Sequence, residues 1–394
     1  MVSSIVEGRP SRTTRRKPRG SRLRVLSLIA DLSDSGGAER FAVALATKLP
    51  QDRFEPWMCV PRDIQPGAQR KLDEAGVRSV TLGRRGKWDF YRFAGLFSLL
   101  YREQFDVLHT HMFGSNLSGA IVGRSCGVPV VIAHEHTWSY EGDPMRVWLD
   151  GRVIGRLVTR FVAVSNADAE RMVSIEHVPA SKVVYIPTGY VPHPSTVRSD
   201  LRKDLGLRPD TPVVLTASIL RPQKALDVLI DAHARVLRTV PAAHLIIAGD
   251  GSRRADLEHH VAELGVQDTV HFLGSRSDID SILGQADVAA MSSDFEGMPL
   301  FAFECMANHT PLVATAVGGL PDVIEDGRTG LLVPRRDPDA LAAALAGLLT
   351  DAPRRERLAS AALARLDEFR IDAIVERFAT LYETLVRESG RRRR

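Results

Sequence analysis

Apolar runs of strand length recur along the chain, separated by longer stretches whose apolar residues fall at helical spacing. RVLSLIA (24–30), FEPWMCVP (54–61), VRSVTLG (77–83), DVLHTHM (106–112), PVVIAHE (129–135) and RFVAVS (160–165) form a first series. After VYIPTGY and the Pro-broken VPHPSTVRS, a second series follows: TPVVLTAS (211–218), AHLIIAG (243–249), TVHFLG (269–274), DVAAMS (287–292), PLVATAV (311–317) and GLLVP (330–334). Strands alternating with helices imply a parallel sheet covered on both faces. The pattern predicts an α/β chain of two doubly wound, Rossmann-like domains, 23–190 and 200–370, joined by a linker at 191–199 and facing each other across a cleft. Within 371–388, the helical pattern IVERFATLYETLVRE would cross back to brace the first domain. Ligands of open α/β sheets bind beyond the carboxyl ends of the strands, so the cleft is the expected site.

Composition leaves this picture standing, and charge adds to it. The chain has 394 residues, 44% hydrophobic and 25% charged, which reads as globular and long enough for two domains. Its longer apolar runs, such as LAAALAGLL at 341–349, are too short to span a bilayer, and no apolar segment follows the basic N-terminus as in a signal peptide. A chain neither exported nor integral to a membrane is expected. Cys59, Cys126 and Cys305 are odd in number and lack metal-ligand spacing, so small buried thiols in a reducing cytoplasm are expected. Residues 1–24 hold eight Arg or Lys against Glu7, and residues 387–394 hold five Arg against Glu388, leaving an acidic body between them. The tails, 1–22 and 389–394, are too polar to fold and suit an anionic surface such as lipid headgroups. With no aromatic residue in either tail, specific nucleic-acid binding is not expected.

SSDFEGMPLFAFECMANHTP, residues 292–311, poses the chemical question. Pro299 favours a helix's first turn, which puts Glu296 before the helix and Glu304 a turn and a half inside it. A helix N-terminus offers unpaired amides and a partial positive charge to an anion. Carboxylates on either side repel phosphate but accept hydrogen bonds from hydroxyls. A nucleotide sugar presents groups in that order: ribose hydroxyls, a diphosphate, sugar hydroxyls. The spacing alone is satisfied equally by a helix-capping Glu296 and a solvated Glu304.

The order of motifs along residues 23–388 resembles that of retaining glycosyltransferases of family 4, which have the two-domain architecture called GT-B. SGGAER (35–40) follows the first strand, and the resemblance implies that Gly36 and Gly37 let backbone approach a diphosphate or the acceptor. HTHM ends the fourth strand, and the family carries a histidine at the place of His111, facing the cleft. HEHT adds His134 and His136, of which His136 better matches a family position. His111 and His136 are thus the acceptor-side candidates. His-x-His on strands with no cysteine lacks the four-ligand closure of a zinc site, so no metal site is expected.

ILRPQKALDVLIDA (219–232) stands where the family reads Gly-Arg-Leu-x-Pro-x-Lys-Gly, which implies Lys224 on the donor's phosphates. Three family residues are replaced: here they are Ser218, Ile219 and Ala225, with Arg221 the nearest substitute cation. The family's two spaced glutamates imply Glu296 on the donor sugar and Glu304 on the ribose. Between them Gly297, Met298, Pro299, Leu300 and Phe301 would surround the diphosphate, with the amides of Met298, Leu300 and Phe301 donating and Pro299 presetting the turn. His309 replaces a glycine, so the helix's C-terminal cap must be made another way. VGGLPDV (317–323) matches, with Asp322 for the usual glutamate.

The resemblance implies sugar transfer, with retained anomeric configuration, from a UDP- or GDP-type donor to an acceptor hydroxyl in glycolipid, polysaccharide or other glycoconjugate synthesis. His111, Lys224 and Glu296 are the catalytic candidates. No side chain stands as a nucleophile, so a same-face displacement is expected in which the leaving phosphate takes the acceptor's proton while Lys224 and the helix N-terminus hold its charge. No cofactor and no metal ion are required. Two other readings stay open: a catalytically weak sugar-nucleotide-binding or scaffold protein, suggested by Ile219 and His309, and a nucleotide-sugar epimerase of the same architecture. KWDFYRFAGLFSLLYREQF (87–105) places Phe90, Phe93, Phe97 and Leu100 at helical spacing among Lys87, Arg92 and Arg102. It reads either as a core helix or, with the tails, as an anchor on the inner face of the plasma membrane for a lipid-linked acceptor.

Overall fold

The computed structural model describes residues 22–33, 36–83, 93–136, 143–192 and 199–392. Each expected apolar run contains a strand, trimmed at its ends where the chain turns. β1 (Leu23–Ile29), β2 (Phe54–Val60), β3 (Arg78–Thr81), β4 (Val107–His111), β5 (Val130–Glu135), β6 (Arg160–Ala163) and β7 (Val183–Tyr185) make one parallel sheet, ordered β3-β2-β1-β4-β5-β6-β7. β8 (Val213–Ala217), β9 (His244–Ala248), β10 (Val270–Gly274), β11 (Val288–Met291), β12 (Leu312–Thr315) and β13 (Leu331–Val333) make the second, ordered β10-β9-β8-β11-β12-β13 and also parallel. Helices cover both faces of each sheet, and β4, β5, β11 and β12 are buried along their whole length.

Strand order reverses between β1 and β4 in the first sheet and between β8 and β11 in the second. Crevices open at such switch points beyond the strands' carboxyl ends. The chain leaves β1 towards Gly36, β4 at His111, β8 towards Lys224 and β11 towards Glu296. Topology therefore gathers candidates that are far apart in sequence.

The last helix, Ile371–Arg392, crosses back as expected. Ile374, Phe378, Tyr382 and Leu385 recur on one face and pack with Val25, Phe41, Phe54, Val107 and Ile132 of the first domain. Its charged edge is tied as well, by Arg53 to Glu376 and Glu383, each at 2.9 Å. The crossing is fixed where Tyr190 N donates to Phe369 O at 2.7 Å and Ile371 N to Tyr190 O at 3.2 Å. One expectation is corrected here: the C-terminal tail was set at 389–394, yet the helix continues to Arg392. Once a helix is nucleated by packing, each further residue adds a hydrogen bond, and arginine is a good helix former.

Cys59 and Cys305 are buried, Cys126 is half-buried, and all three are free. No helix among the described residues is long and apolar enough to cross a membrane.

Candidate active site

The second domain contributes a cation, a carboxylate and a helix start. Lys224 closes a short turn, Pro222–Lys224, after β8, and Glu296 lies in the loop after the neighbouring β11. Lys224 Nζ donates to Glu296 Oε1 at 2.6 Å, and Ser293 Oγ donates to the same oxygen at 2.6 Å. The two loops are laced together by Ser292 Oγ to Lys224 O (2.9 Å), Gln223 Nε2 to Phe295 O (2.9 Å) and Thr315 Oγ1 to Ser293 O (2.7 Å). Glu296 is 6% exposed, and a carboxylate so enclosed is tolerated because a cation and a hydroxyl meet it. Glu296 thus faces Lys224 and does not cap the helix.

That helix runs Leu300–Ala307, with Pro299 as its N-cap at φ −75°, ψ 124°. Pro299 was expected inside the first turn; it sits one position earlier, which its fixed φ permits equally. No backbone carbonyl among the described residues accepts from the amides of Met298, Leu300 or Phe301, so these are donors of the kind that a helix start leaves over. VGGLPDV proves to be the floor of this turn. Gly318, at φ +54°, lies so close that a Cβ there would stand 1.7 Å from the Glu296 carbonyl oxygen, and Gly319 N donates to Gly297 O at 2.7 Å.

The first domain meets this site through its first helix, Gly37–Lys48, which Gly36 precedes as N-cap. A Cβ on Gly37 would lie 3.5 Å from Leu300 Cδ1, so the two helix starts abut. Glu304 is not solvated: its Oε1 stands 3.5 Å from Arg40 Nη1, while Arg40 Nη2 donates to Val191 O at 3.2 Å. Burial raises the Glu304 carboxyl above its usual range, opposed by Arg40 and reinforced by Asp280. A second contact between domains joins Asn166 to Asp322, by Asn166 N at 2.7 Å and Nδ2 at 2.9 Å. Sequence reasoning missed Arg40, Asn166 and Ser293. Of these, Arg40 inside SGGAER and Ser293 inside SSDFEGMPLFAFECMANHTP sat in motifs already singled out, and Asn166 did not.

The histidines require a correction. His111, expected to face the cleft, is fully buried, as are His109 and His134; only His136 is partly exposed. His109 Nδ1 pairs with the Tyr382 hydroxyl at 2.6 Å and His111 Nδ1 with His136 Nε2 at 3.0 Å. Phe41 stands edge-on to His134 and His136, and Phe378 lies against His109 and His134. The physical reason is packing: His109, His134 and His136 enclose His111, and the last helix, from the far end of the chain, lies over His109 and His134. Burial pushes His109 and His136 down to about 3 and His111 and His134 well below the ordinary value, which favours the neutral form of the rings. Ring nitrogens of His109, His111 and His134 lie within 4.8 Å of one another, and no thiol or carboxylate joins that group among the described residues.

The residues that depart from the family pattern resolve differently. Ile219 is 53% exposed and Arg221 is exposed beside it, within the loop that carries Lys224. Ala225 at φ 45° and His309 at φ 57° both adopt the left-handed backbone that suits glycine. The expectation of a different helix cap at His309 is therefore overturned: the usual left-handed cap forms, with Thr310 N donating to Cys305 O at 3.0 Å and His309 Nε2 held at 3.1 Å from Ser360 Oγ. A strain of about 1–2 kcal/mol per such residue is small enough for the surrounding packing to impose.

Comparison with known proteins agrees with this geometry. The sequence profile of glycosyltransferase family 4 matches residues 35–193, and that of glycosyl transferases group 1 matches residues 197–365. The D-inositol 3-phosphate glycosyltransferase of Kineococcus radiotolerans is 30% identical over 409 aligned residues, covering 91% of this chain and 93% of that protein. The UDP-Gal:alpha-D-GlcNAc-diphosphoundecaprenol alpha-1,3-galactosyltransferase of Escherichia coli is 27% identical, covering 67% and 71%. Among solved structures, Anabaena HepE in complex with UDP-glucose superimposes with a TM-score of 0.79 at 22% identity, over 92% of this chain and all of that one. WaaG, a glycosyltransferase involved in lipopolysaccharide biosynthesis, gives 0.69 at 16% identity, over 91% and 99%. The chain belongs to glycosyltransferase family 4 and has the GT-B fold.

Proposed function

We propose that this glycosyltransferase moves a sugar, with retention of configuration, from a UDP- or GDP-linked donor to a hydroxyl of a lipid-linked or membrane-presented acceptor. The observation that carries the reading is the Lys224–Glu296 contact at 2.6 Å beside the open start of helix Leu300–Ala307, with Glu304 farther along it. A cation and free amides suit the diphosphate, and a carboxylate on either side suits the sugar and ribose hydroxyls. Lys224, joined by Arg221, would hold the charge that builds on the leaving phosphate, which takes the acceptor's proton as the new bond forms on the same face. His136, neutral and partly exposed, would offer the acceptor a hydrogen bond and no charge. With cations and amides at the leaving group, no metal ion is required.

The test is turnover of nucleotide sugars with polyprenyl-linked and glycolipid acceptors in excess EDTA. Acceptor-dependent release of the nucleoside diphosphate is expected, lost in Lys224→Ala and Glu296→Ala. An isomerised nucleotide sugar from donor alone would indicate epimerisation, and binding without turnover would indicate a scaffold. Activity abolished by EDTA and restored by magnesium would overturn the metal-free reading.

Surface chemistry supports a membrane-presented acceptor. In the segment 87–105, Lys87, Phe90 and Arg92 lie outside the described residues; Leu96, Leu99 and Leu100 are core, whereas Phe97 and Tyr101 are exposed and stacked on each other. Trp148 and Met145 are 54% and 63% exposed on another helix of the same domain. Aromatic residues beside Arg102 and Arg146, together with basic tails, suit peripheral docking on an anionic cytoplasmic leaflet. Sedimentation with vesicles should require anionic lipid, weaken with salt and fall when residues 1–20 and 391–394 are removed. Indifference to lipid charge would favour a soluble acceptor.

A further inference from the structure

The Glu304 carboxylate, read above as the ribose acceptor, is enclosed by groups from both domains. Arg40 approaches from the first helix and Asp280 from the helix Ile279–Leu283, while Tyr190 belongs to the segment joining the domains and Cys305 adjoins it on its own helix. Among the described residues the sole cation in ion-pair contact is Arg40, whose side chain is 14% exposed against 16% for that of Glu304. The arginine is itself held at two points, one head nitrogen on Glu304 Oε1 at 3.5 Å and the other on Val191 O at 3.2 Å. Asp280 is drawn partly aside by Asn308 Nδ2 at 3.0 Å, and the Tyr190 hydroxyl is pushed up to about 12, first by burial and then by Asp280 and Glu304. A carboxylate taken out of water beside a second carboxylate stays ionised and fixed only where a cation opposes both effects.

We infer that Arg40 is a positioning residue for donor recognition: reaching from the acceptor-side domain, it holds the Glu304 carboxylate in the orientation that meets the ribose hydroxyls. The inference rests on the reading of Glu304 as the ribose carboxylate. Arg40 engages Glu304 through Oε1 at 3.5 Å, and a ribose hydroxyl would be met by the same carboxylate. Nucleotide recognition then depends on a residue from the other domain, and on the linker carbonyl that steadies it. Loss of Arg40 removes a cation that opposes the effect of burial on the carboxyl. The pH below which nucleotide binding weakens should consequently move upward.

Calorimetric titration of UDP and of GDP from pH 5 to 8 into the full chain and into Arg40→Met, Arg40→Lys and Glu304→Gln tests this. For the nucleotide that binds, Arg40→Met should weaken affinity tenfold or more at pH 7 and shift the acid-side loss of affinity to higher pH, with Arg40→Lys restoring much of both. Thermal unfolding identifies a variant that has lost its fold, in which case Arg40→Lys carries the comparison. If Glu304→Gln weakens binding while Arg40→Met and Arg40→Lys keep the parental affinity and pH profile, the role of Arg40 is refuted and the ribose reading stands. Parental binding by Glu304→Gln, or no binding of either nucleotide to the parent, would overturn the ribose reading itself.

Discussion

Gly318→Ala would disturb the site without touching any group assigned to ligand. The added Cβ would lie 1.7 Å from the Glu296 carbonyl oxygen and 2.6 Å from its carbon, where ordinary contact begins at 3.4 Å. Backbone must therefore separate by more than an ångström. Glu296 cannot yield freely, because Lys224 and Ser293 hold its side chain and Gly319 is bonded to Gly297 just beyond. The left-handed φ of +54° adds about 1–2 kcal/mol for any residue with a Cβ. Together these should cost roughly 3 kcal/mol or more, and a displacement of about 1 Å at the carboxylate proposed to be catalytic should lower turnover on the order of 100-fold. Gly265→Ala is the control, with φ +68° and nothing within 4 Å of its Cβ position, so that only about 1 kcal/mol and no turnover should be lost. Urea unfolding and donor turnover measured on both variants decide the matter. If Gly318→Ala behaves like Gly265→Ala, the close approach that shapes the Glu296 turn is wrong.

Two further perturbations probe the brace and the buried rings. Phe378 is fully buried between the last helix and the first sheet, so Phe378→Ala should cost about 3–5 kcal/mol in urea unfolding and make the C-terminal segment cleavable by protease; parental resistance would show that the helix is not held there. Burial keeps His109 and His136 down to about 3, against 6.5 in an unfolded chain, so between these values unfolding takes up protons. Their contribution is complete above pH 6.5 and is lost as pH falls, by up to about 1.4 kcal/mol per pH unit for each histidine. His109→Gln should flatten the fall of the urea midpoint between pH 7 and 5, and an unchanged slope would mean that the ring is not held neutral.

Much of the architecture was legible because its signal is local. A strand buried on both faces writes a continuous apolar run, and Ile374, Phe378, Tyr382 and Leu385 write a helical stripe that needs a partner. Lys224, Glu296 and Glu304 were singled out because each sits in a motif whose order along the chain is itself distinctive. The contacts between domains were not legible. Arg40 and Glu304 are separated by 264 positions, and Asn166 and Asp322 by 156, and nothing in the spacing of either partner selects the other. His111 was misplaced for a related reason: alternation along β4 gives the face of a residue but not what will cover it, and here His109, His134 and His136 pack against it while Phe378 lies over His109 and His134. His309 looked like the loss of a helix cap, yet the tertiary structure imposes a left-handed conformation on it, as it does on Ala225.

The central claim is that the donor's diphosphate rests on Lys224 at the start of helix Leu300–Ala307, and phosphorus NMR of a bound nucleotide tests it most directly. UDP and GDP would each be titrated, in excess EDTA, with the parent and with Lys224→Gln, which removes the charge while keeping a donor beside Glu296. The β-phosphate resonance of one nucleotide should shift and broaden with the parent and stay close to its free position with Lys224→Gln. The same perturbation with both proteins, or none with the parent, would contradict the account.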